Sequence, residues 1–251
     1  MIKHQLLDTH TVWATHERKE ARNAIDFETM DQLDALVDEI RNNEEIRLFV
    51  FTGAGTSTFI SGGDLKKFHS VQSKEDALEF SRRMITILNK LERLPCWTVA
   101  AINGDAYGGG IETMLAFDFR VSVDFARFGH TQGKFYLSPG WGGLTRLIDQ
   151  VGRSKALEWL GRCEVIDAID AKKTGLINHI VDEEPFRDRV LEWAEPLLVN
   201  DRNYIQTLKS VHHAALDERA KRIEKEIEPF AELWTSDAHF KRVEQFMSRK
   251  K

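Results

Sequence analysis

The apolar and polar positions of the chain switch between the spacing of strands and the spacing of helices. Residues 11–15 alternate as a half-exposed strand does, and residues 48–52 and 98–102 are continuous apolar runs of buried-strand length. Residues 26–40 have an aspartate where an N-cap is expected, followed by apolar side chains every three or four positions. That pattern predicts an amphipathic helix, and a second helix is predicted over residues 73–93. The alternation of strands and helices predicts an α/β fold.

The last third of the chain is predicted to be helical. Strand-like runs end before residue 186, and the charged stretch that follows is predicted to form helices with breaks at Pro196 and Pro229. We therefore predict a core over residues 1–190 and a helical region over residues 191–251.

The composition is that of one soluble globular domain. The 251 residues are 42% hydrophobic and 30% charged, which excludes a disordered or collagen-like chain. The first residues lack the apolar stretch of a signal peptide, and no later window approaches the roughly 20 apolar residues that a membrane-spanning helix needs. These observations predict a cytoplasmic protein without membrane contact.

Charge and cysteine content exclude further classes of function. The net charge is −5 and the pI is near 6.0, whereas nucleic-acid binders usually carry a strongly basic domain or stripe. No nucleic-acid partner is therefore expected. Cys96 and Cys163 are far apart and have no histidines at zinc spacing, so the sequence predicts neither a disulfide framework nor a metal site.

Two glycine-rich turns follow the predicted buried strands. Residues 59–65 contain Gly-Gly-Asp, and residues 103–112 contain three consecutive glycines that lead into a helix predicted over residues 111–117. Glycines at such places present backbone N–H groups with no side chain in the way, and a helix N-terminus favours an anion. Neither turn has the motif of a phosphate loop, a dinucleotide site or a serine hydrolase. Nucleotide hydrolysis, hydride transfer and serine hydrolysis are therefore disfavoured.

Five segments occur in an order and spacing that resemble the crotonase, or enoyl-CoA hydratase/isomerase, family. They are residues 18–25, 59–65, 103–112, 129–143 and 167–181. The resemblance covers almost the whole chain and implies an α/β fold of the crotonase type, a spiral of ββα units with a C-terminal helical region. It also implies an acyl-CoA substrate and assembly as a homotrimer or homohexamer, with the helical region serving oligomerisation and coenzyme A contact. Coenzyme A then belongs to the substrate, and no separate cofactor or metal is expected.

The resemblance also assigns catalytic positions. It implies that the backbone N–H groups of Gly63 and Gly109 bind the thioester carbonyl oxygen, and that Glu112 acts as an acid and base. The second catalytic glutamate of the hydratases falls on Gln132 in this sequence. An amide orients water but does not accept or donate a proton as a carboxyl group does. Position 132 therefore calls rapid hydration by two carboxylates into question.

Further substrate contacts are implied by the same resemblance. Phe246 and Arg249 match positions at the adenine and phosphates of coenzyme A, Tyr107 and Trp141 shape an acyl pocket, and His130 neighbours the variant position. Contacts to coenzyme A or the acyl group are also expected around the first turns, from Ala21, Arg22, Ser61, Asp64, Leu65 and Lys66.

The leading hypothesis is an acyl-CoA lyase of the enoyl-CoA hydratase type that stabilises a thioester enolate. Gln132 keeps two alternatives open, a double-bond isomerase with Glu112 as its single base and a decarboxylase of a malonyl-type acyl-CoA. A third alternative is a non-catalytic member of the fold that binds coenzyme A or RNA. The acidic composition argues against RNA, and Glu112 beside intact glycine turns argues against a loss of catalysis.

Overall fold

The structure is a computed structural model that describes residues 1–248. Its strands are β1 (Ile2–Leu6), β2 (Thr11–His16), β3 (Leu48–Gly53), β4 (Thr58–Ile60), β5 (Trp97–Ile102), β6 (Asp105–Tyr107), β7 (Phe119–Val123), β8 (Arg127–Gly129), β9 (Val165–Asp167) and β10 (His179–Val181). Its α-helices are α1 (Phe27–Asn42), α2 (Lys74–Glu92), α3 (Gly109–Met114), α4 (Gly143–Val151), α5 (Arg153–Arg162), α6 (Ala168–Lys173), α7 (Phe186–Ala194), α8 (Arg202–Val211), α9 (His213–Trp234) and α10 (Asp237–Ser248). Short 3₁₀ helices occupy Lys19–Ala21, Phe68–Ser70, Gln132–Phe135 and Glu195–Leu198.

The larger sheet has six strands in the order β1-β2-β3-β5-β7-β10. β1 is antiparallel to β2, and the strands from β2 to β10 run parallel. Successive side chains of a strand face opposite ways, so Phe49 and Phe51 pack with α1 and α2, whereas Leu48 and Val50 pack with α7. Helices therefore cover both faces, which explains why residues 48–52 form a continuous apolar run.

The smaller sheet has four strands in the order β4-β6-β8-β9. β4, β6 and β8 run parallel, and β9 is antiparallel to β8. Along the chain each of the three parallel strands follows a strand of the larger sheet, as β3–β4, β5–β6 and β7–β8, and a helical segment comes next. This is the predicted ββα repeat. The short strands have three residues each, too few for a periodic pattern to predict them.

The predicted starts of the first two long helices are confirmed by their caps. The Asp26 side chain accepts a hydrogen bond from the Thr29 N–H at 2.9 Å before α1. Ser73 and Asp76 form a reciprocal capping box at the start of α2. Local sequence chemistry thus determines where the covering helices begin.

The chain after β10 is helical as predicted, and no described residue there lies in a strand. The break predicted at Pro196 is confirmed, because Pro196 lies in a 3₁₀ helix between α7 and α8. The break predicted at Pro229 is wrong, because α9 continues through it. Ile223 and Ile227 of α9 are buried against α2, and this packing offsets the backbone hydrogen bond that the proline cannot make.

Residues 1–248 contain no helix that is both long enough and apolar enough to cross a membrane. Within the same residues, no three histidine, cysteine or acidic side chains gather closely enough to hold a metal ion. Cys96 is buried, Cys163 is half-buried, and both are free thiols.

Candidate active site

The two glycine turns and Gln132 lie at one edge of the smaller sheet. β4 leads into Gly63, β6 leads into Gly109, and β8 leads into Gln132. Because β4, β6 and β8 are parallel neighbours, their carboxyl ends meet at the same edge. The fold therefore brings together three segments that are far apart along the chain.

The backbone N–H groups of Gly63 and Gly109 have no acceptor within residues 1–248. A Cβ atom at Gly109 would lie 2.2 Å from Cζ3 of Trp141, and one at Gly63 would lie 2.8 Å from Cε2 of Phe68 and 3.6 Å from Cη2 of Trp141. The close packing of these aromatic rings on the backbone therefore requires glycine at both positions. The Trp141 indole packs against both glycines. The two N–H groups without an acceptor therefore lie near the same indole ring.

The second turn enters α3 directly from the smaller sheet. The Gly108 N–H donates to the Gly129 carbonyl at 2.9 Å, and Gly108 has φ +50°, which favours glycine. The helix begins at Gly109 and ends at Met114, so the predicted bounds of 111–117 are wrong by two and three residues. Glycines carry no apolar side chain, and the periodic pattern therefore does not register them. As the first helical residue, Gly109 has an N–H group without an intrahelical partner.

Arg18 holds the first turn in place. Its Nη2 lies 2.8 Å from Oδ2 of Asp64 and 3.1 Å from Oδ2 of Asp26, and all three side chains are nearly buried. Oδ1 of Asp64 accepts from the backbone N–H groups of Lys66 and Lys67 at 3.2 and 3.3 Å. Both oxygens of Asp64 are thus engaged within the protein, whereas the Lys66 side chain is exposed.

Glu112 is buried, and both of its carboxylate oxygens accept hydrogen bonds. Oε2 accepts from the N–H groups of Trp141 at 2.7 Å and Gly143 at 3.0 Å, and Oε1 accepts from the Gln132 side chain at 3.2 Å. Burial raises the pKa of Glu112 to about 7; the negative charge of Glu226 acts in the same direction, and the hydrogen bonds oppose it. A carboxyl group that changes protonation state near neutral pH is suited to general acid–base catalysis.

The Gln132 amide lies between Glu112 and the second turn. A Cβ atom at Gly108 would lie 4.0 Å from Cδ of Gln132. Nε2 of Gln132 donates to Glu112, but Oε1 is buried and has no partner within residues 1–248. A buried oxygen without a donor costs free energy. Gln132 is therefore able to accept a hydrogen bond from a water molecule or a substrate group.

Glu226 of α9 is a half-buried residue at the site, and sequence reasoning does not predict its role. Its Oε1 accepts from the Thr145 N–H at 2.7 Å, and its Oε2 accepts from the Leu144 N–H at 3.3 Å. The surrounding stretch has mixed charges and few apolar positions, which predicts a solvated helix face. The available signal is that Glu226 lies three residues after Ile223 and four before Phe230, so all three share one face. Both apolar residues are buried.

Several predicted substrate contacts surround the first turn. Oγ of Ser61 donates to the Ala21 carbonyl at 3.4 Å, and the Arg22 guanidinium lies 5.9 Å from the centre of the Tyr107 ring. Leu65 packs against the main core. The segments 18–25, 59–65 and 103–112 are therefore in mutual contact.

His130 packs into the core, and Phe246 lies at the surface. The His130 ring stacks on Trp159 with centroids 5.4 Å apart, and its Nε2 has no partner within the described residues. Burial lowers the pKa of His130 to about 4, which keeps the ring neutral near pH 7. Phe246 meets the edge of Phe135 at 5.3 Å between centroids. Arg249 lies outside the described residues.

Known proteins share this fold. A family model described as enoyl-CoA hydratase/isomerase matches residues 12–251. Pseudomonas aeruginosa DspI is 28% identical, with a TM-score of 0.80 over 99% of this chain and 94% of that chain. An enoyl-CoA hydratase from Bacillus anthracis is 25% identical, with a TM-score of 0.81 over 99% and 96% of the two chains. A Bacillus halodurans enoyl-CoA hydratase, 24% identical, has a TM-score of 0.90 over 97% and 99%. The predicted fold class is confirmed.

Proposed function

The chain belongs to the enoyl-CoA hydratase/isomerase family, and from this premise we propose that it binds an acyl-CoA and stabilises the enolate of its thioester. One observation carries the proposal. Two glycine N–H groups without an acceptor among residues 1–248 lie at the same sheet edge as Glu112. Burial raises the pKa of Glu112 to about 7. Acyl-CoA chemistry at C2 or C3 needs both elements, an oxyanion site and a proton carrier.

The proposed oxyanion site consists of the N–H groups of Gly63 and Gly109. Negative charge develops on the thioester oxygen whenever a carbanion forms at C2 or a nucleophile adds at C3. Donors held rigidly before the reaction need no reorganisation, and each contributes roughly 3 kcal/mol to the transition state. The close packing of Phe68 and Trp141 on the two glycines supports such rigidity.

The leading reaction is addition of water to an enoyl-CoA. Glu112 accepts a proton from water as the water oxygen bonds to C3, and electrons move onto the thioester oxygen. Glu112 then gives the proton to C2, so one water is added and the carboxylate is restored. The unpartnered Oε1 of Gln132 supports a role in orienting that water.

Gln132 also favours a second candidate, a reaction that needs only one carboxyl group. In an isomerase, Glu112 removes a proton from one carbon and returns it to another. In a decarboxylase, a malonyl-type acyl-CoA loses CO₂, the electrons pass to the thioester oxygen, and C2 takes up a proton. Both reactions use the same oxyanion site, so the choice depends on position 132.

Coenzyme A contact and assembly complete the proposal. We assign coenzyme A to the first turns and to the C-terminal region 191–251, where Phe246 is exposed. The same region is proposed to form a homotrimer or homohexamer in the cytoplasm. No cofactor other than the coenzyme A of the substrate is required.

The experiment is incubation of the protein with enoyl-, 3-hydroxyacyl- and malonyl-type CoA esters, read by chromatography with mass spectrometry. Hydration adds the mass of water, decarboxylation removes that of CO₂, and isomerisation changes retention alone. Glu112→Gln should lower the active reaction roughly 10²-fold or more while calorimetry finds coenzyme A binding nearly intact. Glu158→Gln, at the surface, is the matched control. Absence of both conversion and coenzyme A binding in the wild type would contradict the proposal.

Gln132→Glu separates the two candidates. If the site is a hydratase that lacks one carboxylate, the variant should hydrate crotonyl-CoA roughly 10²- to 10⁴-fold faster. If the site serves isomerisation or decarboxylation, the new charge beside Glu112 raises the pKa of one carboxyl group and lowers native activity without a gain in hydration. A large gain in hydration at unchanged acyl-CoA affinity would support the hydratase, and a loss of native activity without such a gain would support the second candidate.

A further inference from the structure

Two glutamates accept hydrogen bonds from backbone N–H groups at the start of helix α4. The Gly143 N–H donates to Glu112 at 3.0 Å, and the Thr145 N–H donates to Glu226 at 2.7 Å. The N-cap residue is Gly142, which has no side chain for capping. The first N–H groups of a helix need acceptors, and here the acceptors come from α3 on one side and from α9 on the other.

The packing of α9 explains why Gly142 is a glycine. A Cβ atom there would lie 2.5 Å from Nη1 of Arg146 and 2.8 Å from Cγ2 of Ile223, and φ at Gly142 is +80°. Helix α9 therefore lies so close to the start of α4 that a capping side chain cannot fit. Glu226 of the same helix supplies the cap instead.

Two arginines face Glu226, and both already have carboxylate partners. Arg146 is buried, and its Nη2 lies 3.0 Å from Oε2 of Glu92. Nη2 of Arg222 lies 2.8 Å from Oδ2 of Asp149. The pKa of Glu226 is raised by burial, with the hydrogen bonds at the helix end and the charge of Arg146 opposing.

One further arginine of α9 is also paired with carboxylates. Arg219 of α9 lies 2.6 Å from Glu92 and 3.1 Å from Asp149, so it is also paired. Glu112 is then the carboxylate that meets Glu226 at the same helix end. The charge of Glu226 adds to burial in raising the pKa of Glu112. Like charges that share a site hinder each other's ionisation.

We propose that Glu226 is a positioning residue for Glu112. From α9, Glu226 holds the start of α4, which in turn fixes Glu112, and it places a second negative charge beside the Glu112 carboxyl group. The inference rests on the proposed acid–base role of Glu112. Both oxygens of Glu226 accept backbone N–H groups, so Glu226 acts through Glu112 and not on the substrate. The C-terminal helical region thereby contributes a second carboxylate to the surroundings of Glu112.

The test compares Glu226→Gln with Glu224→Gln. Glu224 is exposed on the same helix and pairs with Arg82 at 3.2 Å, so its replacement removes an equal charge at the surface. Carbon-13 NMR of glutamate-labelled protein follows the Glu112 carboxyl, which is assigned by its loss in Glu112→Gln. Glu226→Gln should lower the pKa of Glu112 by about one unit or more. Equal titration of Glu112 in both variants and the wild type would overturn the proposal.

A second readout is the exchange of the C2 hydrogens of butyryl-CoA with D₂O, measured by mass spectrometry across pH. Its midpoint should move to lower pH in Glu226→Gln and stay in place in Glu224→Gln. A slower rate at every pH with an unmoved midpoint would leave Glu226 a purely structural residue. If the wild type does not exchange these hydrogens, the proposed function is contradicted, while the NMR titration still tests Glu226.

The wild-type protein provides a test should Glu226→Gln fail to fold. Two interacting carboxyl groups titrate as a pair, so the Glu112 signal should follow a curve broader than that of one site or show two inflections. A sharp single-site curve would overturn the proposal without any variant.

Discussion

The two glycine turns of the site are fixed by different kinds of charge. The first turn is held by Arg18 between Asp26 and Asp64. Burial alone would raise the pKa of Asp26, but hydrogen bonds from Thr29 and the charge of Arg18 lower it below its ordinary value. The second turn leads into the helix that carries Glu112. Burial raises the pKa of Glu112 to about 7. At neutral pH the Asp26 carboxylate beside the first turn therefore stays charged, whereas Glu112 gains or loses a proton.

This difference separates the charged groups that hold the site in place from the carboxyl group that can exchange a proton. An oxyanion donor needs a fixed position, and an ion pair that stays charged over a wide pH range provides it. A proton carrier needs a pKa near the working pH, which burial beside a second carboxylate provides. The same fold places the ion pairs of Arg18 beside the turn of Gly63 and a carboxyl group of raised pKa in the helix that begins at Gly109.

The largest expected effect comes from adding one methyl group to each turn. Gly109→Ala places Cβ 2.2 Å from the Trp141 ring, which also packs on Gly63, so the variant should disturb both donors. We expect turnover to fall roughly 10²- to 10³-fold, the usual loss when an oxyanion donor is removed. In Gly63→Ala the new Cβ meets the edge of the Phe68 ring at 2.8 Å, and turnover should fall less than in Gly109→Ala. Steady-state kinetics of the two variants on the same CoA ester decide, and an equal loss would contradict the ranking.

The next effect tests the support of the first turn. Arg18→Met leaves Asp26 and Asp64 nearly buried without their cation, and breaking such a pair costs about 3 kcal/mol of the free energy of unfolding. Urea unfolding measures it. Arg82→Met, which removes the surface pair with Glu224, should change stability far less. If both variants unfold at the same urea concentration, the first turn does not depend on Arg18.

A smaller effect tests the titration at the second turn. The folded pKa of Glu112, about 7, exceeds the ordinary 4.5, so between these values the folded protein binds more protons. The contribution of Glu112 to stability is complete below pH 4.5 and is lost as the pH rises through 7. Relative to the wild type, Glu112→Gln should gain about 2 kcal/mol between pH 5 and pH 7. Urea unfolding at both pH values measures this gain, and a difference that is independent of pH would contradict it.

The smallest effect concerns the surface aromatic proposed for coenzyme A. Phe246→Ala should weaken coenzyme A binding about five- to tenfold, because an aromatic contact contributes roughly 1 kcal/mol. Isothermal titration calorimetry measures the affinity. Phe125→Ala removes a phenyl group of similar exposure and serves as the control. Equal affinities would place the adenine elsewhere.

Prediction from the sequence succeeded where the signal is local. The N-cap at Asp26 and the apolar runs of β3 and β5 lie within short windows, and the helix and strands that they predict are confirmed. The break at Pro229 failed because the packing of α9 on α2 outweighs the local preference of proline. The start of α3 was placed late because glycines contribute nothing to a periodic pattern.

By itself the sequence predicted the α/β fold class and the two glycine turns, because residue types and spacing carry that information, and its resemblance to a known family assigned roles to Glu112 and Gln132. Only the tertiary structure decided that both oxygens of Asp64 are engaged within the protein, that His130 is a neutral core residue, and that Glu226 reaches the start of α4. Burial, pKa and the neighbours of a charge depend on contacts between elements far apart along the chain. No local pattern of residues records those contacts.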